Sequence, residues 1–249
     1  MTEQVQRRSK ALSNGNLGAD EHLDGSEDQV EQQLRAKAHS FYNRRTKRAL
    51  SLILAVPLIL LVSPLLALIA IAIVIDSGLP VFYRAERGGF RGRSFRIMKF
   101  RTMVKGADRI GGGTTALHDS RITRIGSILR RTKLDEFPQL VNILKGEMCF
   151  VGPRPELPQY TNAYQGVEKY ILHVRPGITD FSSLEYIALD AVVGQVDADV
   201  TYENEVLPKK NALRIEYVAR MSLATDTRLF IKTIFRSVQQ GVAFFVRRS

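Results

Sequence analysis

The sequence predicts an α+β protein. It reads as a re-entrant membrane helix–break–helix, then a compact, mostly helical cytoplasmic domain with a small β-hairpin and amphipathic membrane-surface helices. Three observations lead there. Ala49–Ile75 is a run of 27 residues without a charge, interrupted by Pro57 and by Ser63-Pro64. Both flanks of the run are basic. Beyond it, a stretch alternating basic and apolar residues is followed by segments whose apolar residues recur at helical spacing.

A bilayer core is about 30 Å thick and takes roughly 20 apolar residues to cross as a helix. The run is long enough, but an interior proline removes a backbone donor and clashes with the preceding turn. A break at Ser63-Pro64 leaves arms of roughly 21 and 17 Å at 1.5 Å per residue, and neither crosses alone. Arg44, Arg45, Lys47 and Arg48 precede the run; Arg84, Arg87, Arg91, Arg93, Arg96, Lys99, Arg101 and Lys105 follow it. Lys and Arg beside a membrane segment favour the cytoplasmic side, and a helix pair that enters and leaves by one face keeps both flanks there. A single span with a tolerated proline kink is the other reading. The segment starts too far into the chain, and is too long, for a signal peptide.

In chain order, residues 1–28 form a polar tail without apolar periodicity, expected to be disordered. Residues 29–76 hold a juxtamembrane helix, Gln29–Arg48, and the membrane hairpin; residues 77–249 form the cytoplasmic domain. Val81–Tyr83 and Phe95–Met103 read as strands around the Gly88-Gly89 and Gly92 turn. Ile122, Ile125, Ile128 and Leu129, then Phe137, Leu140, Val141 and Leu144, mark two short amphipathic helices, with Gly146 as C-cap of the second. Gly152-Pro153-Arg154-Pro155 is a rigid turn. Residues 180–200 read as irregular, and Tyr202–Arg220 and Asp226–Val238 as helices, with Pro208 interrupting the first and the second suited to a membrane surface or equally to core packing.

The net charge of +11 is uneven. Residues 1–31 carry three basic and seven acidic side chains, a net −4, so the rest of the chain carries +15. A basic body behind a membrane segment suits anionic headgroups, phosphate-bearing substrates or nucleic acid. Cys149 is the only cysteine, which excludes an internal disulfide, and no Cys/His spacing suits zinc. The chain has no P-loop and no GxGxxG pattern.

Asp135-Glu136 is the sharpest candidate for chemistry. Placed at the N-terminus of the second helix, with Pro138 in its first turn, both carboxylates would feel the positive end of the helix dipole. An ionised carboxylate there can attack phosphorus or bind Mg²⁺. The plainer alternative is a pair of capping residues. Arg130 and the proline-flanked Arg154 are candidate phosphate clamps, since the guanidinium fork matches phosphate oxygens; a surface Arg beside a tight turn is the alternative.

Three segments carry a resemblance: VFYRAERGGFRGRSFRIMKFRTM (81–103), DSRITRIGSILRRTKLDEFPQLVNILKGEMCFVGPRPE (119–156) and RPGIT (175–179). Together with the Ser63-Pro64 membrane break, they resemble the bacterial sugar transferases, or monotopic phosphoglycosyl transferases, over about Lys47–Thr179. The resemblance implies transfer of a sugar-1-phosphate from a nucleotide diphosphate sugar, usually a UDP-sugar, to polyprenyl (undecaprenyl) phosphate with release of UMP, an early membrane step of surface glycan assembly. Asp135 matches the family's nucleophile, which forms an aspartyl phospho-sugar, and Glu136 its partner, with Mg²⁺ at the pair. Lys99, Arg101, Arg130 and Arg154 match positions around the diphosphate, and Pro153, Pro155 and Arg175 join the substrate-binding set. The resemblance also implies a re-entrant hairpin and a place on the cytoplasmic face of the bacterial inner membrane. Homo-oligomers and contacts with downstream glycosyltransferases stay open. After Thr179 the chain reads DFSSLEY where many members read closer to GWAQV, a region thought to bear on the sugar.

Two other classes would leave different marks on the sequence. A non-catalytic membrane scaffold would tolerate loss of Asp135 and Glu136. A membrane-tethered nucleic-acid binder would want basic residues interleaved with exposed aromatics; that pattern is missing and Trp is absent, so no nucleic-acid partner is expected.

Overall fold

A computed structural model describes residues 24–107, 119–186 and 198–246. The architecture follows from one long apolar helix and the short elements packed beneath it. Helix α1 (Asp24–His39) starts inside the stretch read as tail. A π-type turn, Tyr42–Thr46, leads into α2 (Lys47–Ser77). Contrary to the expected break, α2 runs through both prolines. Pro64 has no N–H, so the carbonyl of Leu60, four residues back, loses its helical donor. The Ser63 hydroxyl donates to that carbonyl at 2.9 Å, which answers the need for satisfied backbone groups in lipid.

Tyr42–Ser77 is, among the described residues, the one helical segment long and apolar enough to cross a membrane. It does not stand clear of the protein. Ser51, Ala55, Ile69 and Ile73 are buried, and Leu58, Ile59, Val62, Leu66 and Ala70 are half-buried against the core. These positions fall on one helical stripe along nearly all of α2. The opposite faces, with Ile53, Leu60, Leu61, Leu68 and Ile75, are exposed. Both ends are tied to the same domain. Arg48 donates to the carbonyls of Ile143 and Leu144; Arg101 donates to Ser77 O (2.8 Å) and Gly78 O (2.6 Å); Asp76 accepts the Ile125 amide.

The hairpin pairs β1 (Phe82–Arg87) with β2 (Phe95–Phe100) antiparallel, Tyr83 opposite Lys99. The first strand runs four residues past its expected end, and the second stops three short, leaving Met103 in an isolated bridge to Ile122. Then come α3 (Arg124–Thr132) and α4 (Gln139–Lys145). Thr123 caps α3 by accepting the Gly126 amide. Gly146 ends α4 in the left-handed region at φ 87°, a conformation that costs glycine little.

A second sheet pairs β3 (Cys149–Val151) with β4 (Gly177–Thr179) in parallel. A Cβ at Gly152 would lie 2.3 Å from the Arg175 carbonyl, so only glycine admits this approach. Between the strands lie α5 (Pro158–Asn162) and a 3₁₀ segment, Gly166–His173. The stretch read as irregular instead carries α6 (Phe181–Glu185), capped by Asp180, and α7 (Ala198–Thr201); residues 187–197 lie outside the described set. Pro208 does not interrupt a helix. It sits in the first turn of α8 (Leu207–Arg220), where its missing N–H costs little, after a π-type turn at Tyr202–Val206.

The last helix, α9 (Leu223–Val246), is longer than expected at both ends. Leu229 is buried and Phe230 meets Phe150 edge-on, while Ile231, Ile234, Phe235, Val238 and Val242 form an exposed apolar stripe. The main core joins α1, α2, β2, α4, β3, α8 and α9.

Candidate active site

Lys133 takes a left-handed conformation (φ 58°) and turns the chain out of α3. Leu134–Glu136 then form a single 3₁₀ turn ahead of α4. The acidic pair therefore precedes the α-helix rather than opening it, and α4 has only seven residues. The dipole expected to favour both charged forms is correspondingly short. What surrounds each carboxylate decides more, and the two environments differ.

Glu136 is held by cations on both sides. Lys99 Nζ lies 3.0 Å from its Oε1. Arg154 grips it with both fork nitrogens, Nη1 at 3.1 Å from Oε2 and Nη2 on Oε1. Burial alone would raise its pKa, but Arg154 and Lys99 outweigh that and hold the carboxyl well below the usual range. Asp135 is only 8% exposed, and its Oδ1 is buried without a hydrogen-bond partner. Burial pushes its carboxyl upward; Lys99 opposes this, the charge of Glu136 adds to it, and Lys133 and Arg130 pull back. One carboxylate is thus fixed as an ion and the other sits beside it, poorly satisfied. Such unequal pairs mark acid–base or nucleophilic sites.

The elements bearing the cations explain their reach. Lys99 projects from β2 toward Glu136. Arg154 lies between Pro153 and Pro155; its amide donates to Asp180 Oδ2 at 3.0 Å and its Nη1 to Ile178 O at 2.7 Å. Arg130, on the last turn of α3, reaches Thr102 Oγ1 at 3.5 Å. The structure therefore gathers Lys99, Arg130, Asp135, Glu136, Pro153, Arg154 and Pro155 into one locality. Arg101 and Arg175 are engaged elsewhere. Arg101 Nη2 closes the C-terminal end of α2. Arg175 Nε donates to Gly146 O at 3.2 Å while its guanidinium lies 4.7 Å above the Phe90 ring.

Sequence reasoning missed Lys133, whose pKa burial lowers while Glu136 and Asp135 raise it. It also missed Asp180, whose Oδ2 accepts the Arg154 amide. The signal for Lys133 was its place beside the pair; for Asp180 there was none.

Among the described residues no cluster of three His, Cys, Asp or Glu side chains could hold a metal by itself. The buried, unpartnered Oδ1 of Asp135 fits one oxygen ligand of a hard cation such as Mg²⁺, whose remaining ligands are commonly waters and substrate phosphates. Glu136 fits less directly, because both its oxygens already accept from Lys99 and Arg154.

Comparison with known proteins bears on the chain as a whole. A family model described as bacterial sugar transferase matches residues 42–240. The chain is 35% identical over 206 residues to the UDP-glucose:undecaprenyl-phosphate glucose-1-phosphate transferase of Escherichia coli (strain K12), covering 81% of this chain and 42% of that protein. It is 33% identical over 204 residues to the exopolysaccharide production protein ExoY of Sinorhizobium fredii (strain NBRC 101917 / NGR234), covering 76% and 84%. It is 32% identical over 199 residues to the UDP-N-acetylgalactosamine-undecaprenyl-phosphate N-acetylgalactosaminephosphotransferase of Aeromonas hydrophila, covering 78% and 44%. The chain thus spans about two fifths of the first and third of these relatives.

Proposed function

The chain belongs to the bacterial sugar transferase family, and from that premise we propose that it transfers a sugar-1-phosphate from a UDP-sugar to undecaprenyl phosphate, releasing UMP, at an early membrane step of exopolysaccharide or related glycan assembly. The observation that carries this reading is the unequal carboxylate pair, Glu136 fixed by Lys99 and Arg154 and Asp135 unsatisfied beside it.

The steps follow from these residues. Asp135 attacks the phosphorus next to the sugar; the bond to the bridging diphosphate oxygen breaks and UMP leaves with that oxygen. An oxygen of undecaprenyl phosphate then attacks the aspartyl phosphate, and the carboxylate departs unchanged. Splitting the transfer lets one site meet a soluble donor first and a membrane-held acceptor second. Lys99, Arg130 and Arg154 bind and orient the diphosphate, and Glu136 keeps Lys99 and Arg154 in place. Mg²⁺, held by Asp135 and substrate oxygens, would supply charge neutralisation for the attack.

For the membrane, we propose that α2 is re-entrant despite its continuous helix. A straight helix of this length would span, so entry and exit by one face needs a bend, for which α2 offers Pro57 and Pro64. Its packed stripe, its two ends tied to one domain and its two basic flanks all support entry and exit on the same, cytoplasmic, face. The exposed stripe of α9 suits the same membrane surface.

The test is to incubate detergent-solubilised protein with undecaprenyl phosphate and a panel of UDP-sugars and to measure UMP. One donor should give UMP; silence across the panel would refute the reading. Label transfer from donor to Asp135 without acceptor tests the covalent step.

A further inference from the structure

Arg214, in the middle of α8, is 0% exposed. A guanidinium buried this completely loses much of its hydration, which one ion pair repays only with good geometry and further hydrogen bonds. Its partners show what is fixed. Nη2 donates to Glu156 Oε1 at 2.5 Å, and Nε faces Asp180 Oδ2 at 4.0 Å. Glu156 stands two residues after Arg154 on the same proline-flanked turn. Asp180 Oδ2 accepts the Arg154 amide, while its Oδ1 accepts from Ser182 and Ser183 and caps α6. Arg214 is therefore hydrogen-bonded to Glu156 and within ion-pair range of Asp180, without a hydrogen bond from its Nε, and Asp180 in turn accepts the Arg154 amide.

Glu156 collects three donors on one oxygen: Arg214, Lys210 at 3.0 Å and the hydroxyl of Tyr202. Burial would raise its pKa, but Arg214 and Lys210 hold the carboxyl far below its usual range. Asn211 accepts from Arg214 Nη1 at 2.9 Å and fixes the other end of the guanidinium.

We propose that Arg214, acting through Glu156 and Asp180, is a positioning residue that sets the Arg154 fork against Glu136. This rests on the transferase reading for its kinetic consequence but not for its structural one. The departure from GWAQV after Thr179 then gains a meaning in this chain: Asp180 opens that segment and accepts the Arg154 amide.

The experiment compares wild type with Arg214→Lys, Asp180→Asn, Arg154→Lys and the Arg214→Lys/Arg154→Lys double variant. Amide exchange of the Arg154 N–H is read first. It should accelerate roughly ten-fold or more in Arg214→Lys and Asp180→Asn, while exchange in the buried part of α8 stays near wild type. Kinetics with the active donor follow. Arg214→Lys should lower kcat/KM about ten-fold or more, and the double variant should be scarcely worse than Arg154→Lys alone, because residues acting as one unit are not additive. Unchanged exchange at Arg154, or fully additive losses, would overturn the proposal. If Arg214→Lys fails to fold, Asp180→Asn, nearly the same size, decides on the same readings. If wild type makes no UMP with any donor, the transferase reading fails while the exchange result still decides the positioning claim.

Discussion

Replacing Asp135 with Asn separates function from stability in opposite directions. Asp135 has a buried, unpartnered Oδ1 and a carboxyl whose pKa burial has pushed upward. Its folded pKa lies above the unfolded value, so below the unfolded range both states hold the proton and nothing is lost. As pH rises through that window the folded state must ionise an unfavourably placed group, and above it the cost is complete. Asparagine is nearly the same size and carries no charge. An unsatisfied buried polar group costs about 1–3 kcal/mol; asparagine keeps the polar atoms and sheds the charge, so a gain of about 1 kcal/mol is expected, or about 2–4 °C for a chain of this size. The proposed nucleophile is lost, and turnover should fall to background, on the order of 10⁶-fold. The assay pairs UMP release with thermal unfolding in detergent at neutral pH and again in acid. The gain should be present at pH 7 and shrink as pH falls toward the ordinary carboxylate range. Normal turnover, or a lower midpoint at pH 7, would refute the reasoning.

Other outcomes follow from neighbouring contacts. Arg154→Lys keeps the charge but loses the bidentate grip on Glu136; donor kcat/KM should drop by about 10–100-fold, and wild-type kinetics would return Arg154 to a structural role. Glu136 and Glu156 have depressed pKa values, so their stabilisation is complete above the unfolded value near 4.5 and is lost as pH falls below it; Glu156→Gln should flatten the acid limb of a melting-temperature profile, and an unchanged limb would exclude Glu156 as its source. Ser63→Ala removes the donor that satisfies Leu60 O and should cost about 0.6 kcal/mol in bilayer or detergent; no change in the melt would show that the carbonyl finds another donor. Cysteine scanning at Ser40 and Ser94, in a Cys149→Ser background with an impermeant thiol reagent, should find both positions inaccessible from outside intact cells; external labelling of either would sink the re-entrant topology.

What the sequence conveyed about the fold followed the range of the forces involved. Local signals were read well. The apolar run, the basic flanks, the hairpin, the two helices around residues 124–145 and the Gly146 cap all depend on neighbours a few positions apart. The unbroken course of α2 was not legible, because a proline pattern reports the lost hydrogen bond but not the Ser63 hydroxyl that serves the freed carbonyl. The helix at 181–185 was missed because its cap, Asp180, also answers to Arg154, 26 residues away. Arg101 entered the substrate-binding set through the motif match alone. Its use at the end of α2 depends on where the membrane helix returns to the domain, and no spacing within the motif records that.

The candidate site follows the same division. The acidic pair and the flanking arginines stand out as residue types, but their division of labour comes only from packing. Asp135 and Glu136 are adjacent in sequence and shifted in opposite directions because β2 and the Pro153–Pro155 turn hydrogen-bond their cations to Glu136, while Asp135 feels them only through space and keeps a buried, unpartnered Oδ1. The same turn depends on Arg214, sixty residues further on, and Arg214 lies on a helix that also packs against the core beneath α2. The charge state of the proposed nucleophile is therefore tied to the packing that seats the membrane element. A change at the buried face of α8 should therefore reach Asp135 through Arg154 and Glu136. Arg214→Lys, measured below its own unfolding midpoint, should accordingly shift the pH profile of UMP release, and a profile unmoved by that substitution would break this chain of dependence.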